Sequence, residues 1–356
     1  MKHILILTLI LISIKGFSQV VLNADGPGNT YSLINSVLAP GYNVIEAPDC
    51  SHTAFGEHID EIFDAELNSN VFRFFIHTTP DNDRCINFDR QRNEIKTYDQ
   101  SPANLLGIQN ETVIYKWKFK LKTGFQSSTN FTHIHQLKSV GGSLEDMPMY
   151  TLTTRKGTPD KLELRYAETN TQTTLTQTDI APFLGTWVEV TETIKYGTAG
   201  TYSIVIKKVS DMSTLFSYSN NSIINWRSGA DFVRPKWGIY RSLNNAQDLR
   251  DEEVLFANFS IQEIPTLSIE EVNENEENLT YYLNKTNQTL HLKNAKNSFK
   301  NVKLYSSDGK LVSVKSFEKE VNEYDLDISN FQNGVYIFLI EYSNYKRSSK
   351  KFLVSK

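Results

Sequence analysis

The chain has few apolar runs of helical period, no apolar segment beyond residue 18 long enough to cross a bilayer as a helix, and no glycine-rich nucleotide loop. Its formal net charge of −4 is small for 356 residues, and it carries only 2 cysteines. These scarcities argue against a mainly helical fold, a membrane helix in the mature chain and a nucleotide-driven enzyme, and they make nucleic acid a poor partner. Basic character, where a ligand calls for it, has to be local. In an exported chain Cys50 and Cys85 pair as one disulfide, and closing that loop is worth about 3 to 4 kcal/mol in the chain-entropy model.

What is present points out of the cell. Residues 1–18 open with Lys2, continue through an apolar run from Ile4 to Ile14 and end in Gly16-Phe17-Ser18, the layout of a secretory signal peptide with the mature chain starting near Gln19. The 17 Tyr and 20 Phe, with abundant Thr, Ser and Asn, favour strands. Between 19 and 67 the chain is loop-rich, with Asp25-Gly26-Pro27-Gly28 as a turn and 58–67 as a short helix. Strands are expected over 71–77, 93–98, 112–121, 131–140, 149–155, 161–167, 186–196, 202–209, 236–241 and 254–261, a spacing that predicts a sandwich or jelly roll. Composition shifts at Ile264-Pro265. Residues 264–278 read as an acidic linker between a large domain over 19–263 and a small Lys-rich β unit over 279–356.

Three polar strands stand out in the large domain. Period two puts Arg90, Arg92, Glu94 and Lys96 on one face, and four charges on one face do not make a core. In Phe131-Thr132-His133-Ile134-His135-Gln136-Leu137-Lys138, one parity carries His133 and His135 and the other carries Gln136 and Lys138; the pattern leaves open which parity faces a ligand. In Arg234-Pro235-Lys236-Trp237-Gly238-Ile239-Tyr240-Arg241, the residues Lys236, Gly238 and Tyr240 share a face opposite Trp237 and Ile239, and the bare glycine leaves room for a ligand along the backbone. An exposed charged sheet gives the same pattern without function, but three such strands favour a cleft for a polyanion.

Two resemblances to known families follow from these segments. The run Asn301-Val302-Lys303-Leu304-Tyr305-Ser306-Ser307-Asp308-Gly309-Lys310, the run from Leu326 to Tyr336 with its Asn333-Gly334-Val335-Tyr336, and the basic end resemble the C-terminal sorting domain of the type IX secretion system. That resemblance implies export across an outer membrane by the type IX machinery, to the extracellular space or the cell surface. Arg-Asn-Glu-Ile at 92–95, His-Ile-His-Gln-Leu-Lys at 133–138 and Lys-Trp-Gly-Ile-Tyr-Arg at 236–241 resemble the three active-site strands of jelly-roll polysaccharide lyases, which include alginate, glucuronan and heparin lyases. With Asp89 to Lys96 and Trp187 to Glu192 added, the pattern is most similar to the ulvan lyases of this group. The implied fold is a β-jelly-roll (concanavalin-like sandwich), all-β, followed by a small β-sandwich sorting domain. Alginate lyases of this fold carry glutamine, an aliphatic residue and histidine on the middle strand; here Gln136-Leu137-Lys138 lies beside His133-Ile134-His135.

A lyase of this kind removes the proton beside a uronate carboxylate and expels the 4-linked oxygen. Negative charge grows on the carboxylate, so cations and amide donors must face it. The resemblance places Tyr240 at the scissile bond and, by the departure on the middle strand, leaves the base open; the assignment is Tyr240 as the acid, Lys138 as the preferred base and His135 as the runner-up, with Arg92 and Gln136 against the carboxylate. His133, Lys236, Arg241 and Arg155 are further substrate-binding candidates, and Lys236 is the cation expected to stabilise a Tyr240 phenolate. The expected substrate is an anionic polysaccharide, ulvan first and glucuronan or alginate second, acted on by a monomer with no cofactor in the chemistry. The fold group allows a structural calcium, for which Asp60, Asp64 and Asp251 are candidate oxygen ligands. A jelly-roll glycoside hydrolase would need paired carboxylates, and His58-Ile59-Asp60-Glu61-Ile62-Phe63 lacks the laminarinase-like glutamates. A non-catalytic carbohydrate-binding module would explain the basic aromatic groove but not the coincidence of Tyr240 with Lys138 and Arg92.

Overall fold

In the computed structural model the chain divides into two compact units, Met1–Thr266 and Leu267–Lys356. The structure describes residues 19–264, 279–284, 287–306, 309–344 and 346–354. The signal peptide and all of the acidic linker after Ile264 lie outside the described residues.

The first unit is a sandwich of two antiparallel sheets. One has eight strands: Thr214–Ile223, Gly200–Lys208, Val188–Lys195, Thr112–Leu121, Glu252–Ile264, Ser69–Ile76 and Ile59–Asp64 in spatial order, with Val20–Leu22 also paired to Glu252–Ile264. Its strands alternate as the sequence does; in Val188–Lys195 the residues Val188, Val190, Glu192 and Ile194 point inward and Glu189, Thr191 and Thr193 lie half-buried between them. The other sheet has seven strands: Thr173–Asp179, Lys161–Tyr166, Tyr150–Arg155, Thr132–Val140, Phe232–Ser242, Arg90–Lys96 and Ile45–Glu46. Apolar side chains of both sheets interdigitate in a single core that includes Phe72, Tyr115, Trp117, Ile134, Leu137, Val190, Trp237 and Ile239. The fold is therefore the all-β jelly-roll sandwich that the strand spacing anticipated.

Two stretches differ from the sequence reading. Residues 58–67 are not helical: Ile59–Asp64 is a strand paired with Ser69–Ile76, and its burial alternates with period two at the start. The one α-helix of the described residues is Thr30–Leu38, within the stretch read as loop-rich, and it buries Thr30, Ile34 and Leu38 at helical spacing. Thr173–Asp179 and Thr214–Ile223 are edge strands with mostly polar, exposed residues, which carry little apolar alternation to reveal them.

The second unit has its own core around Leu290, Leu292, Phe299, Leu304, Phe338 and Ile340. It is built from a three-stranded sheet (Leu279–Asn284, Thr289–Asn294, Glu323–Asp327) and a four-stranded sheet (Leu311–Val321, Phe299–Ser306, Gly334–Tyr342, Arg347–Val354).

Candidate active site

The central strands of the seven-stranded sheet are buried on both faces, yet the face turned away from the core is polar. In Arg90–Lys96 every residue from Gln91 to Ile95 is buried, and in Phe232–Ser242 every residue except Arg234 is. A buried polar face needs partners for each donor and acceptor, and these partners define the site.

Strand register decides who meets whom. Phe232–Ser242 and Arg90–Lys96 pair without interruption, so Lys236 faces Lys96, Gly238 faces Glu94 and Tyr240 faces Arg92. Against Thr132–Val140 the same strand slips: Trp237 faces His135, but Tyr240 faces His133, with a bulge between. A second irregularity separates His133 from His135 in the pairing with Tyr150–Arg155. The extra residue reverses the parity of the histidine strand. His133 thus joins Gln136 and Lys138 on the outward face, while His135 turns into the sandwich. Gly238, which lies in the bulge, has φ +148°, and a Cβ there would sit 2.0 Å from the carbonyl oxygen of Asn93. It serves the close approach of two strands rather than room for a ligand.

Tyr240, Arg92, Arg90 and His133 form the centre of the outward face. The Arg92 guanidinium carbon lies 3.7 Å from the Tyr240 ring centroid, and Arg90 donates to Tyr240 Oη at 3.0 Å. Burial raises the Tyr240 phenol above its ordinary value, with Arg92 and Arg90 pulling the other way, so the hydroxyl stays protonated near neutrality. The His133 ring centroid is 5.8 Å from that of Tyr240, and its Nδ1 is 2.7 Å from Thr153 Oγ1. Burial, then Arg92, Arg155 and Arg165, push His133 down to about 3, which keeps the imidazole neutral.

A second group of charges holds Arg92 from behind. Its Nε donates to Asp83 Oδ1 at 2.9 Å, a terminal nitrogen donates to Glu94, and Glu46 Oε2 lies 3.5 Å away. Gln136 donates its amide to the other oxygen of Glu94. Each amide or guanidinium has more N–H groups than these bonds consume, so both can still donate outward. Glu46 collects Lys236, Lys96 at 2.7 Å and Arg84 at 2.8 Å. Burial opposes the charge of Glu46, but Lys236, Arg92, Lys96 and Arg84 outweigh it and hold the carboxyl far below the usual range. Lys236, itself buried, is pushed down to about 7 and is bound to Glu46, with Glu94 at 3.8 Å. The cations at the Tyr240 hydroxyl and ring are therefore Arg90 and Arg92, not Lys236.

Lys138 faces Arg234 across the strand pair. Neither has a hydrogen-bond or ion-pair partner among the described residues, and burial lowers both, with Arg234 the next cause for Lys138. Lys138 lies five residues along its strand from His133 but only two from Gln136 on the same outward face, and Arg92 is among the charges that lower it.

The remaining candidates divide. Arg155 is on the outward parity of Tyr150–Arg155, half-buried, with its Nε 3.2 Å from Glu163. Arg241 and His135 are on the inward parity. Arg241 is fully buried, donates to Gln91 Oε1 at 2.8 Å and to the Arg250 carbonyl at 2.8 Å, and is pushed down to about 10 by burial. His135 meets Glu192 Oε2 at 2.9 Å and the Lys236 carbonyl at 3.0 Å, and its ring centroid lies 4.3 Å from that of Trp117. Neither reaches the outward face. Cys50 and Cys85 are joined, with Cα atoms 6.3 Å apart. The three candidate calcium ligands do not converge: Asp60 holds Arg73, Asp64 accepts from Leu67 N, and Asp251 accepts from Thr78. Sequence reasoning missed Glu46 and Asp83, which sit outside the three patterned strands, and gave Arg234 and Arg90 no role.

The comparisons with known proteins agree with the tail and touch the sandwich. Residues 281–355 match the secretion system C-terminal sorting domain, which directs a chain through the type IX system to the extracellular space or the cell surface. No curated protein matches the chain. Among solved structures the chain is similar to an endo-β-1,4-glucuronan lyase from the fungus Trichoderma reesei, at 14% identity over 57% of this chain and 86% of that chain, with a TM-score of 0.42. It is also similar to a marine alginate lyase from Aplysia kurodai (15% identity, 68% and 98% covered, TM-score 0.46). A third is an alginate lyase from Pseudomonas aeruginosa (14% identity, 56% and 84% covered, TM-score 0.38).

Proposed function

We propose that the first unit is a polysaccharide lyase that cleaves a uronate-containing polymer, most simply ulvan, by β-elimination. The observation that carries this reading is the junction of a protonated phenol, Tyr240, with a neutral imidazole, His133, under the guanidinium of Arg92. In the reaction His133 takes the proton from the carbon beside the carboxylate, its basicity raised once the bound uronate carboxylate offsets the charge of Arg92. The C–H electron pair becomes the new carbon–carbon double bond, and the bond to the 4-linked oxygen breaks. Tyr240 gives its proton to that oxygen, and Arg90, already bonded to Tyr240 Oη, stabilises the phenolate left behind. With Nδ1–H donated to Thr153, the lone pair on Nε2 of His133 is the base. Arg92 and Gln136 use their spare N–H groups on the uronate carboxylate, pre-oriented by Asp83 and Glu94.

On this reading the base is His133 rather than Lys138 or His135, which the register supports by setting His133 opposite Tyr240. Lys138 and Arg234, without internal partners and next along the face beyond Gln136, then bind a further anionic group of the chain, as a sulfated polyuronate such as ulvan offers. The resemblance of the three strands to ulvan lyases supports the same substrate. The test is a panel of ulvan, glucuronan, alginate and heparin read by ultraviolet absorbance of the unsaturated uronyl product. Ulvan should give the largest rate of absorbance increase. Saturated reducing ends without that absorbance would instead mean hydrolysis and overturn the reading.

A further inference from the structure

Away from the outward face, four side chains aim their donor atoms at one point. His52 follows Cys50 in the chain, His58 precedes the strand Ile59–Asp64, and His77 and Asp81 follow the strand Ser69–Ile76. His52 Nδ1 is 2.9 Å and His58 Nε2 is 3.2 Å from Asp81 Oδ1, and His77 Nδ1 is 3.0 Å from Asp81 Oδ2. All four ligand atoms lie within 4.8 Å of one another. The three imidazole centroids are 4.8 to 5.5 Å apart, and the Phe55 ring closes over them at 4.4 to 5.3 Å.

The imidazole of His58 is held at both of its nitrogens. His58 Nδ1 lies 2.7 Å from Asp49 Oδ1, and Asp49 is fixed in turn by Tyr31 Oη at 2.8 Å. With Nδ1–H given to Asp49, a neutral His58 turns its Nε2 lone pair toward the point on which His52, His77 and Asp81 also converge, as a metal ligand does. The Tyr31–Asp49–His58 chain is then the outer-shell carboxylate that orients a ligating imidazole.

We infer that His52, His58, His77 and Asp81 form a binding site for one divalent transition-metal ion, with zinc the ion that the donor set fits best. Three nitrogens and one carboxylate oxygen make a four-coordinate set with bonds of about 2.0 to 2.2 Å, which places ligands roughly 3.4 Å apart in a tetrahedron, within the span seen here. Calcium and magnesium need six or more oxygen ligands, and this site offers one carboxylate. The site is structural. All four coordination positions come from the protein, and Phe55 covers it. It clamps the segment that carries His52 and His58 to the segment that carries His77 and Asp81, the same two segments that the Cys50–Cys85 disulfide joins. From Asp81 the chain runs to Asp83, which grips Arg92, while the Asp81 carbonyl accepts from Gln91 at 2.9 Å. The metal therefore braces the loop that orients Arg92.

The experiment uses the untagged, full-length mature protein. After dialysis against zinc and then against metal-free buffer, mass spectrometry of the metal content should find about one zinc per chain. A strong chelator should lower Tm, and zinc but not calcium should restore it. Cobalt loaded into the stripped protein should show the visible bands of a tetrahedral N/O site. The double variant His52→Gln/His77→Gln, which alters the two partly exposed ligands, should bind zinc at least tenfold more weakly and lose the chelator effect on Tm. Substoichiometric zinc, together with a Tm that ignores the chelator, would overturn the inference. So would a double variant that holds zinc as tightly as the wild type. Neither readout depends on lyase activity, so the site stands or falls separately from the proposed reaction.

Discussion

Both faces of the seven-stranded sheet bury polar groups at their centre, the inward ones set within the apolar core, yet the faces differ in how those groups are used. On the inward face the charged groups pair with one another or with a neighbouring amide: His135 on Glu192, Tyr202 Oη on the other oxygen of Glu192 at 2.7 Å, and Arg241 on Gln91, with one Arg241 terminal nitrogen left over. On the outward face Glu46, Asp83 and Glu94 satisfy only part of the cationic capacity, and Lys138 and Arg234 have no partner among the described residues. Histidine, glutamate and arginine occur on both. What sets the outward face apart is two whole cationic side chains left after internal pairing, because buried charge without a partner is costly unless a ligand supplies one.

The sharpest way to break this comparison is Tyr240→Phe. It removes one hydroxyl from the outward face, so Tm should change little while turnover falls by roughly 100-fold to 10,000-fold, the scale of a lost general acid. Near-normal turnover by a folded Tyr240→Phe protein would remove Tyr240 from the chemistry. His133→Ala should fall by a similar factor, at least about 100-fold, in kcat. The inward face predicts the opposite result for a neighbouring residue: His135→Ala should cost about 3 kcal/mol of stability, read by denaturant unfolding, because Glu192 is left buried with fewer partners. Its turnover per folded molecule should stay within about threefold of wild type, whereas loss of turnover in a folded His135→Ala protein, with His133→Ala active, would return the base to His135.

His133 also ties the comparison to pH. Its ordinary value is 6.5 and its folded value is about 3, so between the two the unfolded chain binds a proton that the folded chain refuses. Stability conferred at neutral pH is therefore lost as pH falls from about 6.5 toward 3, by up to about 1.4 kcal/mol per pH unit for this one group. Unfolding of His133→Gln should depend on pH less steeply over that window; equal slopes would mean that His133 is not held neutral. Smaller again is Lys138→Met. It should raise KM about fivefold to tenfold, flatten the salt dependence and leave kcat within about twofold, by loss of one half-buried charge contact to the polymer. A 100-fold fall in kcat instead would restore Lys138 as the base. The smallest effect should come from ending the chain at Ile264, since the two units have separate cores: the Tm and kcat of the first unit are expected unchanged, and a lost thermal transition would show that it depends on the tail.

Several parts of this protein were legible in one dimension. Period-two patterns placed most central strands to within a few residues, and Arg90, Arg92, Glu94 and Lys96 share a face as alternation demands. The Cys50–Cys85 bond followed from two cysteines in an exported chain, and the tail announced itself by local motifs. These features depend on residues near in sequence or on counting. Others could not be read that way. The edge strands Thr173–Asp179 and Thr214–Ile223 expose mostly polar side chains, so no apolar period marks them. Glu46, in a two-residue strand, becomes the counter-charge of Lys236 only because Ile45–Glu46 pairs with Arg90–Lys96.

The amino-acid sequence by itself determined the all-β class, the division into two units and the set of side chains available for chemistry, because strand period and composition are local properties. Tertiary structure alone decided which of them meet. The bulge at Gly238 set His133 outward beside Tyr240 and His135 inward to Glu192, and register set Lys138 against Arg234. A one-residue slip reverses every side chain beyond it, and the slip is fixed by packing between strands distant in the chain, where no local pattern records it.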